Sequence, residues 1–302
     1  MTSAYSYQSG NVQKTWILLF LFVGVVSSLF YILGLYTRNS SFAIIGLVIS
    51  LGQAVFAYFG GEKLALISAG AKEITYEESP VIFEMVQNLC RTAGIPVPKI
   101  HISPDLSANA FACGRDPKHA SICFNQGILD LLTKTELEGV AAHELSHVKN
   151  RDTLVMTVAM VLSSVISFIA DSGMRMMMWG GMNGNSNDDG DNNGASNPVV
   201  MILFIVSIIL APFVSFLIQM AISRQREFLA DASGVLLTRY PQGLISALNK
   251  LYQSPVPTSH FSTATCHFYI APPKRDWGEK MQAFFSTHPS IAERTERLEQ
   301  MG

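Results

Sequence analysis

The chain has 302 residues, of which 49% are hydrophobic and only 15% charged, and its mean hydropathy is +0.28. These values are too apolar for an ordinary soluble protein and predict several membrane spans beside a soluble part. The formal net charge of −2 argues against a nucleic-acid-binding surface, which needs clustered excess Lys and Arg. The four cysteines form no C-x-x-C pair, so we expect free thiols in a reducing compartment.

The N-terminal region predicts a transmembrane hairpin after a polar tail. The tail is expected over residues 1–14. Residues 15–35 then form an unbroken apolar run, and residues 42–59 form a second run without a charge. A helix needs about 20 apolar residues to cross a bilayer, so each run is long enough for one span.

Residues 62–152 have the character of a soluble domain. Ser79-Pro80 predicts a helix start, with Ser as the N-cap and Pro at the first helical position, and Gly94 predicts its end. Three strand-like segments follow, and then a helix that Thr133 and Glu136 open with a capping box. The predicted strands are residues 99–103, 108–113 and 121–124.

A second apolar pair precedes the C-terminal part of the chain. Spans are predicted at residues 153–175 and 198–222, joined by a Gly-, Asn- and Asp-rich loop at 180–197 that has no means of forming a core. Residues 223–302 are soluble in character and mostly helical. The pattern therefore predicts four spans and a soluble domain assembled from two chain segments. The helices expected in the second segment are 224–237, 241–253 and one that follows Pro289.

The sequence His143-Glu144-Leu145-Ser146-His147 has the form H-E-x-x-H and lies late in the capped helix. Residues four apart share a helix face, so His143 and His147 can direct two imidazoles at one zinc ion. Glu144 is then placed to act as a general base beside the metal. The alternative is an amphipathic helix that carries two histidines for other reasons.

A third ligand must lie on the same side of the membrane as His143 and His147. The two spans predicted after these histidines return the chain to that side. The first charged segment after them contains Glu227 and Asp231, which are four apart on a helix. We predict Glu227 as the third ligand and Asp231 as the acceptor that fixes a ligating histidine. Asp152 is a rival ligand, but we expect it to aim away from the metal. A solvated charged helix end remains the alternative for the whole segment.

The chain contains H-E-L-S-H, followed by two predicted membrane spans and then by R-E-F-L-A-D. This order resembles that of the HtpX-type membrane zinc metalloproteases. These are bacterial heat-shock proteases related to the CAAX prenyl proteases. The similarity also includes N-A-F-A-C-G at residues 109–114 and S-T-H-P-S at residues 286–290. The resemblance implies a mostly α membrane protein with four transmembrane helices and a zincin-like α+β catalytic domain with a small sheet. It implies one Zn²⁺ per chain, held by His143, His147 and Glu227, with Glu144 as general base.

The resemblance also implies two further functional elements. The strand that contains Asn109, Ala110, Phe111 and Ala112 resembles the edge strand against which such enzymes bind an extended substrate. His288 resembles a residue near the scissile carbonyl and could donate a hydrogen bond to the oxyanion. The alternatives are an ordinary core strand and an N-cap histidine ahead of Pro289.

The positions of Lys and Arg predict the orientation. The catalytic side of the spans has a clear excess of basic residues, which places that side and the N-terminus in the cytoplasm by the positive-inside rule. The basic residues counted on that side are Lys14, Lys63, Lys72, Lys149, Arg151, Arg224 and Arg226. We therefore expect a multi-pass protein of the bacterial cytoplasmic membrane.

The sequence thus predicts a membrane zinc endopeptidase that cleaves misfolded or damaged membrane proteins at the cytoplasmic face, as quality control under stress. Its expected partners are those unfolded chains and the lipid bilayer, with no nucleic acid. One alternative is a prenyl-peptide protease, which needs an enclosed intramembrane chamber that four spans are too few to form. Another is a catalytically silent scaffold that binds zinc, which the intact Glu144 disfavours.

Overall fold

A computed structural model describes residues 4–166, 223–254 and 289–301. Several sequence predictions lie outside these residues. They are the second half of the third predicted span, the loop at 180–197, the fourth predicted span at 198–222, and His288.

Two long helices begin the chain, α1 (Ala4–Thr37) and α2 (Ser41–Ser68). Both are long and apolar enough to cross a membrane by length and composition, and most of their side chains face outward. They pack against each other closely, because Gly46 leaves room for the ring of Phe30 and Ser27 hydrogen-bonds Ser50 at 3.1 Å between Oγ atoms. The outward apolar faces are the kind of surface that a bilayer covers.

Two boundaries of this hairpin differ from those predicted. Residues 1–14 were expected to be a polar tail, but α1 already begins at Ala4, and Asn11 is buried against the rest of the protein. The second apolar run was expected to end at residue 59, but α2 continues to Ser68. Glu62 lies within this helix, since Glu is compatible with helical structure, and the Ser121 hydroxyl donates to its carboxylate at 2.6 Å.

A mixed four-stranded sheet follows, in the order β1-β2-β4-β3. Strand β2 pairs parallel to β4, whereas β1–β2 and β3–β4 are antiparallel. Among the described strands, β3 pairs on one side alone and is therefore an edge strand. The bounds are β1 (Lys72–Glu73), β2 (Lys99–Ser103), β3 (Ala110–Asp116) and β4 (His119–Asn125).

Strand β2 has the predicted bounds, and the bounds of β3 and β4 differ from the predicted ones by one to three residues. The extension of β3 depends on Gly114, which has φ +132° at an irregularity in the β3–β4 pairing. A Cβ there would overlap His119 O. Strand β1 has only two residues, too few to leave a pattern of alternation in the sequence.

Helix α5 is the central element and is buried on almost every side. Its predicted capping box is present, as is the predicted start of α3 at Pro80 and its end at a left-handed Gly94. The remaining helices surround α5 and the sheet. The described helices after α2 are α3 (Pro80–Ala93), α4 (Gln126–Leu131), α5 (Lys134–Asn150), α6 (Asp152–Ile166), α7 (Arg224–Thr238), α8 (Pro241–Gln253) and α9 (Ile291–Glu299).

Two apolar cores lie on either side of this centre. The first is formed by α3, the sheet, α5, α7, α8 and α9, and the second by α1, α2, β3, β4 and α6. Residues from before and after the undescribed stretch 167–222 share the first core. Helix α5 and strand β3 are thus held between the soluble helices and the apolar hairpin.

We predict that Gly139→Ala destabilises the protein. A Cβ at Gly139 would lie 2.8 Å from Leu244 N, so α8 must move away from α5. This clash opposes the preference of about 1 kcal/mol that a helix has for Ala over Gly. Thermal unfolding in detergent measures the effect. Gly52→Ala is the matched control, because its Cβ would meet nothing within 4 Å. Equal melting temperatures for the two variants would contradict the prediction.

A second prediction concerns Glu136, which joins the start of α5 to α8. It accepts hydrogen bonds from Lys250 Nζ at 2.8 Å and Ser246 Oγ at 2.6 Å. Burial raises the pKa of Glu136, but these bonds outweigh burial and lower the pKa from 4.5 to about 2. A lowered folded-state pKa contributes stability above the ordinary pKa, and that stability is lost as the pH falls towards the folded value.

Glu136→Gln should therefore be less stable than wild type at neutral pH, and the difference should shrink between about pH 5 and pH 2. Denaturant unfolding at several pH values measures this difference. Glu138→Gln, two positions along the same helix, is the control and should show no such trend. A difference that stays constant over this pH range would contradict the role of the Glu136 charge.

Candidate active site

The two histidines of the H-E-x-x-H sequence project from α5 into a fully enclosed position. His143 is 1% exposed and His147 is 3% exposed. Their Nε2 atoms lie 3.2 Å apart, with the rings at 89° to each other. Two buried nitrogen lone pairs this close repel each other unless a proton or a cation lies between them.

Helix α7 brings Glu227 to the same point. Its Oε2 lies 3.8 Å from His143 Nε2, and its Oε1 lies 3.5 Å from His147 Nε2. One ligand atom of each residue lies within 4.8 Å of the others. The helices approach closely at Gly234, where a Cβ would lie 3.1 Å from His143 N.

This donor set fits zinc. Two imidazole nitrogens and a carboxylate oxygen form a common set of ligands in catalytic zinc sites, which leave a fourth position open. Ligand atoms at the usual bond lengths of about 2.0–2.2 Å in a tetrahedron are roughly 3.4 Å apart, close to the spacing found here.

Asp231 and Arg294 set the orientation of His143. Asp231 Oδ1 lies 2.9 Å from His143 Nδ1, so Nδ1 is the donor and Nε2 is directed towards Glu227. The fully buried Arg294 donates to both oxygens of Asp231, from Nε at 2.8 Å and from Nη2 at 2.6 Å. Burial raises the pKa of Asp231, but the Arg294 charge outweighs it and keeps the pKa below its ordinary value.

His147 has an equivalent partner in Asp152, whose Oδ2 lies 3.0 Å from His147 Nδ1. Arg151 ends α5 in a left-handed conformation with φ 59°, and this turn directs Asp152 back onto the helix. Asp152, the rival ligand, therefore contacts Nδ1 of His147, whereas Glu227 faces Nε2 of the same ring. Burial lowers the pKa of His147, but the Asp152 hydrogen bond and the Glu227 charge raise it to about 9.

Glu144 lies on α5 next to His143 and is 6% exposed. Its Oε2 accepts a hydrogen bond from Ala112 N of β3 at 3.0 Å. Burial and, to a smaller extent, the Glu227 charge together raise the pKa of Glu144 to about 7. A carboxylate with such a pKa can take up and release protons at neutral pH.

The bond between Ala112 and Glu144 shows that the outer edge of β3 faces the candidate base. The side chains of Asn109, Ala110, Phe111 and Ala112 are all buried. Asn109 O accepts from Asn125 N at 2.9 Å, which extends the pairing with β4 beyond the strand itself.

Three residues at this site were missed by sequence reasoning, namely Asn11, Arg226 and Arg294, and Asp152 was considered only as a ligand. Arg294 did leave a signal. It lies between Ile291 and Leu298 at helical spacing, so a charge occupies the buried face of α9. Asn11 left none, because it lies in a stretch that reads as a polar tail. His288 lies outside the described residues.

A family model of peptidase family M48 matches residues 77–302, which include both histidines and Glu227. The chain belongs to peptidase family M48. It is 41% identical over 293 residues to a protease HtpX homolog of Streptococcus thermophilus, which covers 96% of this chain and 97% of that protein. It is 38% identical over 299 residues to a protease HtpX homolog of Tropheryma whipplei, at 99% and 98% coverage.

Among solved structures, the crystal structure of S. mikatae Ste24p is similar, with a TM-score of 0.49 and 17% identity. The similar region covers 98% of this chain and 67% of that one. This likeness is too weak to carry an argument. Membership of a metalloprotease family identifies the chain as a protease.

We predict that Asp152→Ala lowers the zinc affinity about 10- to 100-fold, the usual effect of removing a partner that orients a ligating histidine. Without Asp152, the His147 ring is free to rotate and to place its proton on either nitrogen. Competition with a chromogenic chelator measures the affinity. Asp130→Ala changes an exposed carboxylate away from the site and is the control. Equal affinities for the two variants would exclude an orienting role for Asp152.

Proposed function

We propose that the protein is a zinc-dependent endopeptidase of the bacterial cytoplasmic membrane that cleaves misfolded or damaged membrane proteins. The observation that carries this proposal is the convergence of His143, His147 and Glu227 on one buried point, with Glu144 beside it. When bound there, zinc would act as a Lewis acid on the scissile carbonyl and on the attacking water.

Glu144 is proposed as the general base. It accepts the proton of the attacking water and later passes it to the leaving amine. Its position on α5 next to His143, with its carboxylate at the candidate metal site, supports this role. Its hydrogen bond with Ala112 N fixes the carboxylate relative to β3, so the base has a defined position against a chain bound at that edge.

The substrate is proposed to bind as an extended strand along the outer edge of β3, over residues 109–112. Pairing through the main chain tolerates many side-chain sequences, as an enzyme that acts on diverse unfolded chains requires. The contact between Ala112 N and Glu144 supports this mode, since it places this edge of β3 beside the candidate base. His288 is proposed as a donor to the oxyanion.

The membrane arrangement is proposed from the sequence together with α1 and α2. Four spans would divide one zincin-like catalytic domain into two chain segments, with the catalytic side in the cytoplasm. The first apolar core, which takes residues from both segments, supports this assembly. The substrates would then reach the zinc at the membrane surface, where unfolded segments of membrane proteins emerge.

We predict that Glu144→Gln retains about one zinc per chain but loses cleavage by at least about 100-fold, the lower range of general acid–base contributions. The amide keeps the shape of the side chain but does not accept the proton. Purified protein in detergent is tested for bound metal and for cleavage of an unfolded model protein. Glu138→Gln on the same helix is the control and should cleave as wild type does. Cleavage by Glu144→Gln at the wild-type rate would point to another base, whereas zinc binding without cleavage by wild type would favour the silent-scaffold alternative.

A further inference from the structure

The beginning of α1 contacts the candidate metal site directly. Asn11 is 3% exposed, although it precedes the apolar run of its helix and lies in a polar stretch of sequence. Its Nδ2 lies 2.7 Å from Asp152 Oδ1 and 2.9 Å from Asn150 O. Both neighbours are acceptors, so the amide nitrogen must occupy this position and both of its hydrogens are used.

These contacts place Asn11 two hydrogen bonds away from the proposed ligand His147, with Asp152 between them. Asp152 uses its Oδ2 for His147 Nδ1 at 3.0 Å and its Oδ1 for Asn11. Arg226 Nη1 also approaches Oδ1, at 3.6 Å. Asp152 is 1% exposed, so water is not available to replace a lost donor. A buried carboxylate in this position depends on its hydrogen-bond donors to stay in one rotamer.

The contact with Asn150 O has a second consequence. This carbonyl belongs to the last turn of α5, where main-chain oxygens lack helical partners. The Asn11 amide therefore connects the end of α5 with the side chain that follows the Arg151 turn. It sets the distance between the helix that carries His147 and the carboxylate that orients it.

We propose that Asn11 is a positioning residue of the metal site, which holds Asp152 in the rotamer that directs His147 Nε2 towards the metal. Loss of the Asn11 amide removes one donor from Oδ1 and leaves the Arg226 guanidinium beside it at 3.6 Å, so Asp152 rotates towards that charge and away from His147. The inference rests on the proposed function. It extends the site to a helix outside residues 77–302, the region that the family model matches.

The same helix provides a matched control. Gln8, one turn earlier, donates from Nε2 to Lys149 O at 2.9 Å. It attaches α1 to the end of α5 as Asn11 does, but it makes no contact with Asp152. A purely structural role of the α1–α5 contact is therefore tested by Gln8→Ala, whereas only Asn11→Ala removes a donor to Asp152.

The experiment measures zinc affinity by chelator competition, together with thermal unfolding, for full-length wild type, Asn11→Ala, Asn11→Asp and Gln8→Ala in detergent. We expect Asn11→Ala to lower the affinity about 10-fold, as expected for a partner of an orienting residue. Asn11→Asp should lower it further, because it places a second carboxylate against Asp152. Gln8→Ala should retain the wild-type affinity at a similar melting temperature.

A double-mutant cycle with Asp152→Ala decides whether Asn11 acts through Asp152. Combined with Asp152→Ala, the Asn11→Ala change should have almost no further effect on zinc affinity, because the residue through which it acts is gone. Additive losses would overturn the inference, as would equal affinities for Asn11→Ala and Gln8→Ala. If wild type binds no zinc, the proposed function fails and this inference with it. Zinc binding by wild type and Asn11→Ala alike overturns the inference alone.

Discussion

Two imidazoles and a carboxylate meet in a position buried from bulk solvent, and most of the architecture follows from that fact. Buried polar groups are costly unless each has a partner, and buried charges more so. One divalent cation can offset the cost of burying His143, His147 and Glu227 by binding one atom of each. The other polar atoms of these side chains need hydrogen-bond partners from the protein. The surrounding elements are arranged to supply these partners.

The partners come from distant parts of the chain. Arg294 on α9 holds Asp231, which holds His143, and Asn11 on α1 holds Asp152, which holds His147. The two arrangements are similar, because in each a carboxylate accepts hydrogen bonds from both a ligating histidine and a second side chain farther from the metal site. Ligand orientation in metal sites depends on such outer contacts nearly as much as on the ligands. Strand β3 completes the site, since its main chain holds Glu144.

Local features of the sequence predicted much of this structure. The H-E-x-x-H spacing, the Thr133–Glu136 capping box and the Ser79-Pro80 start each act within one or two turns, so their signals survive without tertiary context. The pairing of Glu227 with Asp231 also came from helical spacing, combined with a topological argument that required the chain to return to the same side.

The rest depended on contacts between distant residues. Asn11 and Asp152 are 141 positions apart, and Asp231 and Arg294 are 63 apart. No local pattern records such pairs, so residues 1–14 looked like a tail and Asp152 looked like a rival ligand. The left-handed turn at Arg151 was equally hidden, because Arg is not a residue that marks this conformation. These are the positions where burial overrides the preferences of the local sequence.

The central claim is that Glu227, from the second chain segment, completes a metal site begun by the two histidines of α5. The most direct test is the zinc affinity of Glu227→Gln beside that of Gln225→Ala, an exposed neighbour on the same helix. We predict that Glu227→Gln loses more than about 100-fold in affinity, beyond the cost of removing an orienting partner, while Gln225→Ala binds as wild type does. Wild-type affinity in Glu227→Gln would contradict the account, because the metal would then be held without the residue that joins the two segments.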